Sequence, residues 1–335
     1  MSAPSCSRRH LLQATLACAA STPLRLTAET AKPASTRGFF AIDDIKVRLH
    51  SPSVQQPLRV CMIADTHLFR DDQRGETFQS FSARMARAYN HTKDFRTGTE
   101  TNPEESFVKT LQTAKKNNVD LLALVGDIFS FPSEDAIEWV QARLAECGLP
   151  FLYIAGNHDW HYEGMEGSLE QLRATWTEKR LKPLYQAHHP LMAMQEIRGV
   201  RFIAIDNSTY EILPEQLAFF QAQVTSGVPL VLFVHIPLYA PGRPIGFGCG
   251  HPLWGAATDK GFQTERRPRW PANGHSQVTM DFHHEVFSAP NLLGIFAGHT
   301  HQPSLDAVNG IPHIVAGPNF NGAYIDLNIL PVPPV

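Results

Sequence analysis

The sequence predicts an α/β protein built as a four-layer αββα sandwich, in which two mixed sheets pack face to face and helices flank them. Two observations lead to this prediction. In the first half of the chain, short apolar runs rich in Val, Ile, Leu and Phe alternate with helical segments, as is typical of parallel strands joined by right-handed crossovers. Predicted strands also dominate both ends of the chain, and two packed sheets with helices outside are the natural layer arrangement for them.

Helix start and stop signals place the elements along the chain. Asn102 followed by Pro103 predicts a helix start, and Ser133 with two acidic residues behind it caps a second helix that ends at Gly148. Further helices are predicted from Pro214 and over residues 276–286. The predicted strands cover residues 45–49, 58–64, 121–125, 151–155, 192–197, 200–205, 230–234, 292–297, 311–316 and 323–330.

We expect one catalytic domain at residues 38–335, with insertions at about 70–101 and 239–280. Residues 1–37 fit an export signal followed by a linker, because Arg8 and Arg9 precede a modest apolar run and a stretch rich in Ser, Thr, Ala and Pro follows. The paired arginines resemble a twin-arginine signal, which predicts an exported protein in the periplasm or outside the cell. An ordinary secretory signal or a disordered basic tail is the alternative.

Composition limits the class of protein. The chain has 335 residues, of which 43% are hydrophobic and 18% charged, so a sizeable core is expected in a soluble protein. No apolar stretch reaches the roughly 18 residues that span a bilayer, so no transmembrane segment is predicted. The net charge of −3 argues against nucleic acid as the main partner. The five cysteines are scattered and form neither a disulfide framework nor a zinc-binding pattern.

Side chains that bind metals follow five of the predicted strands. In open α/β sheets, functional sites form at the carboxyl ends of strands, so these side chains are expected to converge. Carboxylate, imidazole and amide groups without a thiolate suit Mn, Fe or Zn more than soft metals. Taken singly, each has an ordinary structural explanation, such as a turn residue or a core histidine. The candidate ligands are Asp65, His67, Asp127, Asn157, His235, His299 and His301.

The order Asp-x-His, Gly-Asp, Gly-Asn-His-Asp, Val-His and Gly-His-Thr-His resembles the calcineurin-like metallophosphoesterase superfamily over roughly residues 58–301. The resemblance implies a binuclear centre and phosphoester hydrolysis by attack of a metal-bridging hydroxide. It implies that Asp127 bridges the metals, that His158 faces the leaving oxygen and that Asp159 orients His158. The first metal is then held by Asp65, His67 and His301, and the second by Asn157, His235 and His299.

The sequence therefore predicts an exported phosphoesterase with two divalent or trivalent metal ions and a small-molecule or lipid phosphoester substrate. One alternative is a phosphodiesterase for cyclic nucleotides or lipid headgroups, with residues 239–280 selecting the group. Another is a non-catalytic, metal-bearing binding scaffold. Purple acid phosphatases carry a Tyr ligand where this chain has Ser130, which argues against an iron-tyrosinate centre. Monoester or diester preference, metal identity and oligomeric state stay open.

Secondary candidates lie in the second predicted insertion. His251 and the arginines of this insertion are candidates for substrate contact, although we favour a solvated basic patch for the arginines. The tryptophans either stack on a substrate ring or anchor the insertion itself. The arginines and tryptophans in question are Arg266, Arg267, Arg269, Trp254 and Trp270.

Overall fold

The structure is a computed structural model that describes residues 36–82, 85–258 and 273–333. The described residues contain 14 β-strands and six α-helices. The strands are β1 (Phe40–Asp43), β2 (Lys46–Ser51), β3 (Leu58–Ile63), β4 (Thr92–Lys93), β5 (Glu100–Thr101), β6 (Leu121–Val125), β7 (Phe151–Ile154), β8 (Met192–Ile197), β9 (Val200–Ile205), β10 (Leu230–Phe233), β11 (Leu292–Ala297), β12 (Ser304–Val308), β13 (Ile311–Val315) and β14 (Ile325–Pro331). The helices are α1 (Gln79–Ser82), α2 (Pro103–Lys116), α3 (Glu134–Cys147), α4 (Leu169–Trp176), α5 (Pro214–Thr225) and α6 (Gln277–Ser288).

Two mixed six-stranded sheets form the centre of the fold. The first has the order β1-β2-β14-β3-β6-β7, and the second has the order β12-β13-β11-β10-β9-β8. Strands β3, β6 and β7 are mutually parallel, as are β9, β10, β11 and β13. The C-terminal strand β14 lies between β2 and β3, parallel to the former and antiparallel to the latter. The predicted hairpin is confirmed as antiparallel β8 and β9.

Each central strand is buried on both faces, which explains its continuous apolar sequence. In β3, Val60 and Met62 belong to the core shared with β10 of the other sheet, whereas Cys61 and Ile63 belong to the core that packs against the helices. The same helix-facing core includes Phe107 of α2, and α3, α5 and α6 contribute to it as well. The predicted αββα layering is therefore confirmed.

The predicted caps define the helix ends. The Asn102 side chain accepts a hydrogen bond from the Glu105 backbone N–H at 3.0 Å, directly before α2. Ser133 caps α3 in the same way, and Gly148 ends that helix with a left-handed φ of 70°. Among the described residues, no helix combines the length and apolar character that crossing a bilayer requires.

The two predicted insertions differ in structure. Residues 70–101 contain short helical turns, α1 and the small sheet of β4 and β5. The second insertion is described to residue 258 and from residue 273, and Leu238 pairs with Cys249 at its base. The proposed leader and the residues Arg266, Arg267, Arg269 and Trp270 lie outside the described residues, apart from positions 36 and 37.

Candidate metal centre

The candidate ligands lie where the two sheets present the carboxyl ends of their parallel strands. Asp65 and His67 follow β3, Asp127 follows β6, and Asn157 follows β7 in the first sheet. In the second sheet, His235 follows β10, and His299 and His301 follow β11. Because neighbouring parallel strands end at the same edge, these side chains meet although up to 236 sequence positions separate them.

Six of the seven predicted ligands form two compact groups. In the first group, Asp65, His67 and His301 each offer a ligand atom within 4.8 Å of the others. His67 Nε2 lies 2.9 Å from His301 Nε2, and His301 Nε2 lies 3.5 Å from Asp65 Oδ1. The second group is Asp127, His235 and His299, again within 4.8 Å. These distances bring the residues together as the strand-end pattern predicted.

Asp127 lies between the two groups. Its Oδ2 is 3.2 Å from His235 Nε2 and 3.8 Å from His67 Nε2. Its Oδ1 accepts the backbone N–H of His158 at 2.8 Å. The carboxylate is only 1% exposed, so water contributes little to its solvation. Its position fits the predicted bridging role, which stays a prediction.

Asn157, the seventh candidate ligand, lies beside Asp127 through its neighbours in the chain. Its neighbours in the chain, Gly156 and His158, both contact Asp127, so its backbone lies against the carboxylate. Asn157 Oδ1 is buried and has no hydrogen-bond partner among the described residues. An unpartnered amide oxygen at this place is what a metal ligand requires.

The ligand backbones adopt a strained conformation. Five of the candidate ligands have a left-handed φ between 48° and 71°. For residues with a Cβ, this region costs on the order of 1–3 kcal/mol each and is concentrated at functional sites. The strain indicates that the surrounding structure fixes these residues for a purpose other than stability. They are Asp65, His67, Asp127, His299 and His301.

Glycines make room for the carboxylates and imidazoles. A Cβ on Gly126 would lie 2.4 Å from His235 Nδ1, one on Gly156 would lie 2.2 Å from Asp127 Oδ1, and one on Gly298 would lie 2.5 Å from Asp65 Oδ2. Only Gly126 has a positive φ, at 78°, so a sharp backbone turn explains this glycine alone. At Gly156 and Gly298 the requirement is space for the ligand side chain.

The charges of the centre favour a cation. Burial would raise the pKa of Asp127, but the nearby His235 and His158 hold it well below its usual range. Burial would lower the pKa of His235, yet the Asp127 carboxylate outweighs it and raises this pKa to about 10. At His67, whose Nε2 lies farther from Asp127, burial dominates and lowers the pKa. The buried negative charge thus draws positive charge into the centre.

The donor set fits a metal pair. Asn157 Oδ1 is buried and has no hydrogen-bond partner among the described residues. His67 Nε2 and His301 Nε2 lie 2.9 Å apart, and His235 Nε2 lies 3.2 Å from Asp127 Oδ2, so ring nitrogens of both groups point into the centre. Oxygen and imidazole donors without thiolate match Mn, Fe or Zn.

His158 lies beside the first group. Its ring is 5.0 Å from that of His67 in an edge-to-face arrangement, and the residue is partly exposed. The bond from its backbone N–H to Asp127 Oδ1 fixes the main chain that carries the imidazole. The position is compatible with the predicted contact to a leaving group.

Asp159 connects two loops of the centre. Its two carboxylate oxygens accept backbone N–H groups, from Phe129 and Gly156, each at 2.8 Å. These bonds connect the loop after β6 to the loop after β7, which carry Asp127 and Asn157. Burial raises the pKa of Asp159 to about 7, and the Asp127 carboxylate adds to the effect. Asp159 therefore braces two loops, and its predicted role in orienting His158 stays a prediction.

Two tyrosines at the centre were not predicted from the sequence. Tyr89, from the first insertion, stacks on His67 with ring centroids 4.4 Å apart, and Phe320 stacks on Tyr89 at 4.5 Å. Tyr210, which follows β9, has its hydroxyl in hydrogen-bond contact with His299 Nε2. Tyr210 lies farther past the end of its strand than any candidate ligand does, so the strand-end rule does not single it out. No local pattern marks Tyr89.

The secondary candidates in the second insertion are resolved in part. Trp254 is 3% exposed and stacks on Tyr210 and His275, so it anchors the insertion. His251 is 7% exposed and packs on Tyr239 with ring centroids 4.0 Å apart, so it is part of the packing of this segment.

Ser130, at the position of the purple acid phosphatase tyrosine, donates its hydroxyl to the His67 carbonyl at 2.9 Å.

Comparison with known proteins defines the family. The chain matches the model of the calcineurin-like phosphoesterase family over residues 58–303, and it therefore belongs to that family. A probable cyclic nucleotide phosphodiesterase from Moraxella catarrhalis (strain BBH18) is 39% identical over 59 residues, which is 18% of this chain and 21% of that protein. The matched stretch thus spans about a fifth of this relative.

Two solved structures are similar to this chain, and the first of them shares its fold. A dimetal phosphatase from Danio rerio aligns with a TM-score of 0.50 and 13% identity, covering 80% of this chain and 91% of that one. A purple acid phosphatase from yellow lupin (Lupinus luteus) seeds aligns with a TM-score of 0.44 and 12% identity, covering 84% of this chain and 47% of that one. At these identities the likeness to the first structure concerns the fold alone.

The packing around Gly156 gives a testable prediction. In Gly156→Ala the new methyl group must displace the Asp127 carboxylate, so we expect the purified protein to lose most of its bound metal, measured by elemental analysis. The control is Gly227→Ala, where a Cβ has nothing within 4 Å and only the left-handed φ of 72° adds strain. This control should retain its metal and lose about 1 kcal/mol of stability. Full metal content in Gly156→Ala would contradict the placement of Asp127.

Proposed function

We propose that this protein hydrolyses phosphate esters at a centre that binds two metal ions. The observation that carries this proposal is the position of Asp127, whose Oδ2 lies within 4 Å of an imidazole nitrogen from each ligand group. A single buried carboxylate shared by two groups of donors suits a pair of cations better than one. The proposed ligands are Asp65, His67 and His301 for the first metal, Asn157, His235 and His299 for the second, and Asp127 for both.

The metal pair, when bound, polarises the phosphoryl group and lowers the pKa of a water molecule to make it a nucleophile. The protein supplies the geometry. Strained left-handed ligand backbones and the Asp159 brace hold the donors in place before substrate arrives. Tyr89 covers the outer face of His67, which restricts water at the first ligand group. Asn157 contributes a neutral donor, so the second group carries less negative charge toward the substrate.

His158 is the proposed proton donor to the leaving oxygen. It belongs to no ligand group, is partly exposed and lies next to His67. The backbone N–H of His158 donates to Asp127 Oδ1. This bond holds the main chain of His158 next to the carboxylate that the two ligand groups share. An imidazole positioned in this way typically contributes about 10²- to 10⁴-fold to a rate.

This proposal predicts two metal ions per chain and a strong dependence of kcat on His158. We expect His158→Ala to keep both metals and to lose about 10²- to 10⁴-fold in kcat toward p-nitrophenyl phosphate or its diester. The loss should shrink with substrates whose leaving groups need no proton. His284→Ala, an exposed histidine on α6, is the matched control and should keep full activity.

Undiminished turnover in His158→Ala would remove this residue from the mechanism. A folded protein with two metals and no activity on any phosphoester would instead favour the binding scaffold.

A phosphodiesterase specific for cyclic nucleotides is a second candidate function. It is favoured by the curated relative whose name is probable cyclic nucleotide phosphodiesterase, although the match covers 21% of that protein. The second insertion also lies close to the second ligand group, because its Trp254 stacks on Tyr210, whose hydroxyl contacts His299.

Paired substrates separate the two functions. A diesterase should hydrolyse bis-p-nitrophenyl phosphate and 3′,5′-cyclic AMP with kcat/KM at least about tenfold above that for p-nitrophenyl phosphate, a difference of about 1.4 kcal/mol in transition-state binding. Product analysis should then give the nucleoside monophosphate without further loss of phosphate. Release of phosphate from monoesters alone would remove the diesterase function and leave the proposed phosphoesterase intact.

We also propose that the protein is exported. The support is the sequence pattern of Arg8 and Arg9 before a modest apolar run, which resembles a twin-arginine signal. In a bacterial host, the double substitution Arg8→Lys, Arg9→Lys should retain the precursor in the cytoplasm, as measured by cell fractionation. Arg25→Lys, outside the pair, should leave export unchanged. An uncleaved wild-type chain in the cytoplasm would overturn the proposal.

A further inference from the structure

The hydroxyl of Tyr210 reaches His299 from a turn that is tied to the centre at several points. Tyr210 follows β9, is 1% exposed and has a left-handed φ of 64°, which is rare for an aromatic residue. Its backbone N–H donates to the Asn207 carbonyl at 2.8 Å. The Asn207 side chain in turn bonds the backbone of Ile236 twice, accepting from its N–H at 2.9 Å and donating to its carbonyl at 2.7 Å. Ile236 directly follows His235. The turn of Asn207 and Tyr210 is therefore bonded to the backbone next to one candidate ligand, His235, and to the side chain of another, His299.

His235 and His299 each have a hydrogen-bond partner on one ring nitrogen. At His235 the Val125 carbonyl lies 3.0 Å from Nδ1, so this nitrogen carries the proton and Nε2 is left to face Asp127. A partner on one ring nitrogen thus decides which nitrogen is available to a metal. At His299 the partner is the Tyr210 hydroxyl on Nε2, with the two rings 5.5 Å apart and nearly perpendicular.

The second insertion holds Tyr210 in this position. Trp254 stacks on the tyrosine ring at 4.8 Å with an interplanar angle of 28°, and His275 stacks on Trp254 at 4.6 Å. His275 Nδ1 is 3.0 Å from the carboxylate of Glu211, the residue that follows Tyr210. The Cys249 thiol points at the Tyr210 carbonyl with a sulfur-to-oxygen distance of 3.2 Å. The phenol ring is therefore fixed from the side of the insertion.

We propose that Tyr210 is a positioning residue that sets the tautomer of His299. Its hydroxyl oxygen accepts the Nε2–H, which leaves Nδ1 as the nitrogen for the second metal. The stack of Trp254 and His275 makes the second insertion part of this support. The inference rests on the proposed two-metal function and adds a residue outside the seven ligands to it.

Tyr210→Phe keeps the ring and its stacking and removes only the hydroxyl. We expect this variant to release one of its two metals at about 10- to 100-fold higher free-metal concentration than the wild type, and the other metal at an unchanged concentration. The measurement is a titration of the metal-loaded protein with a zinc chelator, followed by elemental analysis. The matched control is Tyr162→Phe, which removes a buried hydroxyl that lies 3.4 Å from the Pro132 carbonyl. It should leave both metal affinities unchanged.

Nitrogen-15 NMR of histidine in the zinc-loaded wild type supplies a second test that needs no variant. His299, assigned through its substitution by Gln, should show a protonated Nε2 and a zinc-shifted Nδ1. A zinc-shifted Nε2 would overturn the inference, as would a Tyr210→Phe variant that binds both metals like the wild type or loses both equally. If the wild type binds fewer than two metals, the proposed function fails. If it binds two and Tyr210→Phe behaves like Tyr162→Phe, only the role of Tyr210 fails.

Discussion

The rest of the structure depends on one buried negative charge, the Asp127 carboxylate at the end of β6. A carboxylate that is 1% exposed is costly unless positive charge and hydrogen-bond donors surround it. Here the donors come from both sheets: imidazoles of His67 and His235 face Oδ2, and the His158 backbone faces Oδ1. Each sheet therefore places an imidazole beside Asp127 at this edge.

The surrounding backbone shows what this arrangement costs. Five candidate ligands adopt left-handed φ values, and three glycines stand where a Cβ would collide with a ligand side chain. They are consistent with a fold whose interior supplies stability so that the sheet edge can hold strained side chains in a fixed geometry. Residues of both sheets form the inner core of this interior.

Much of the fold follows from local sequence signals. Buried strands read as continuous apolar runs, and caps such as Asn102 and Ser133 define helix starts because they satisfy free backbone N–H groups. Strand β12 was missed because it is mostly exposed and lacks an apolar run, although its neighbour β13 was predicted. Helix α4 was missed although Ser168 and Gln171 form a capping box, which is a local signal of a helix start. The place of β14 between β2 and β3 has no local signal at all.

The candidate site was also predictable only in part. The convergence of the candidate ligands was predictable because each follows a strand end, and topology then brings the strand ends together. The supports were not, because they join residues that are remote in sequence. Tyr210 meets His299 across 89 positions, and Asp159 turns its carboxylate to Phe129 across 30 positions although the neighbouring His158 was the expected partner. Contacts between residues this far apart in the sequence leave no local pattern.

Anomalous scattering from crystals of the metal-loaded protein tests the central claim most directly. We expect two ions about 3.5–4 Å apart, both in contact with the Asp127 carboxylate. One ion alone, or two ions that do not share Asp127, would contradict it.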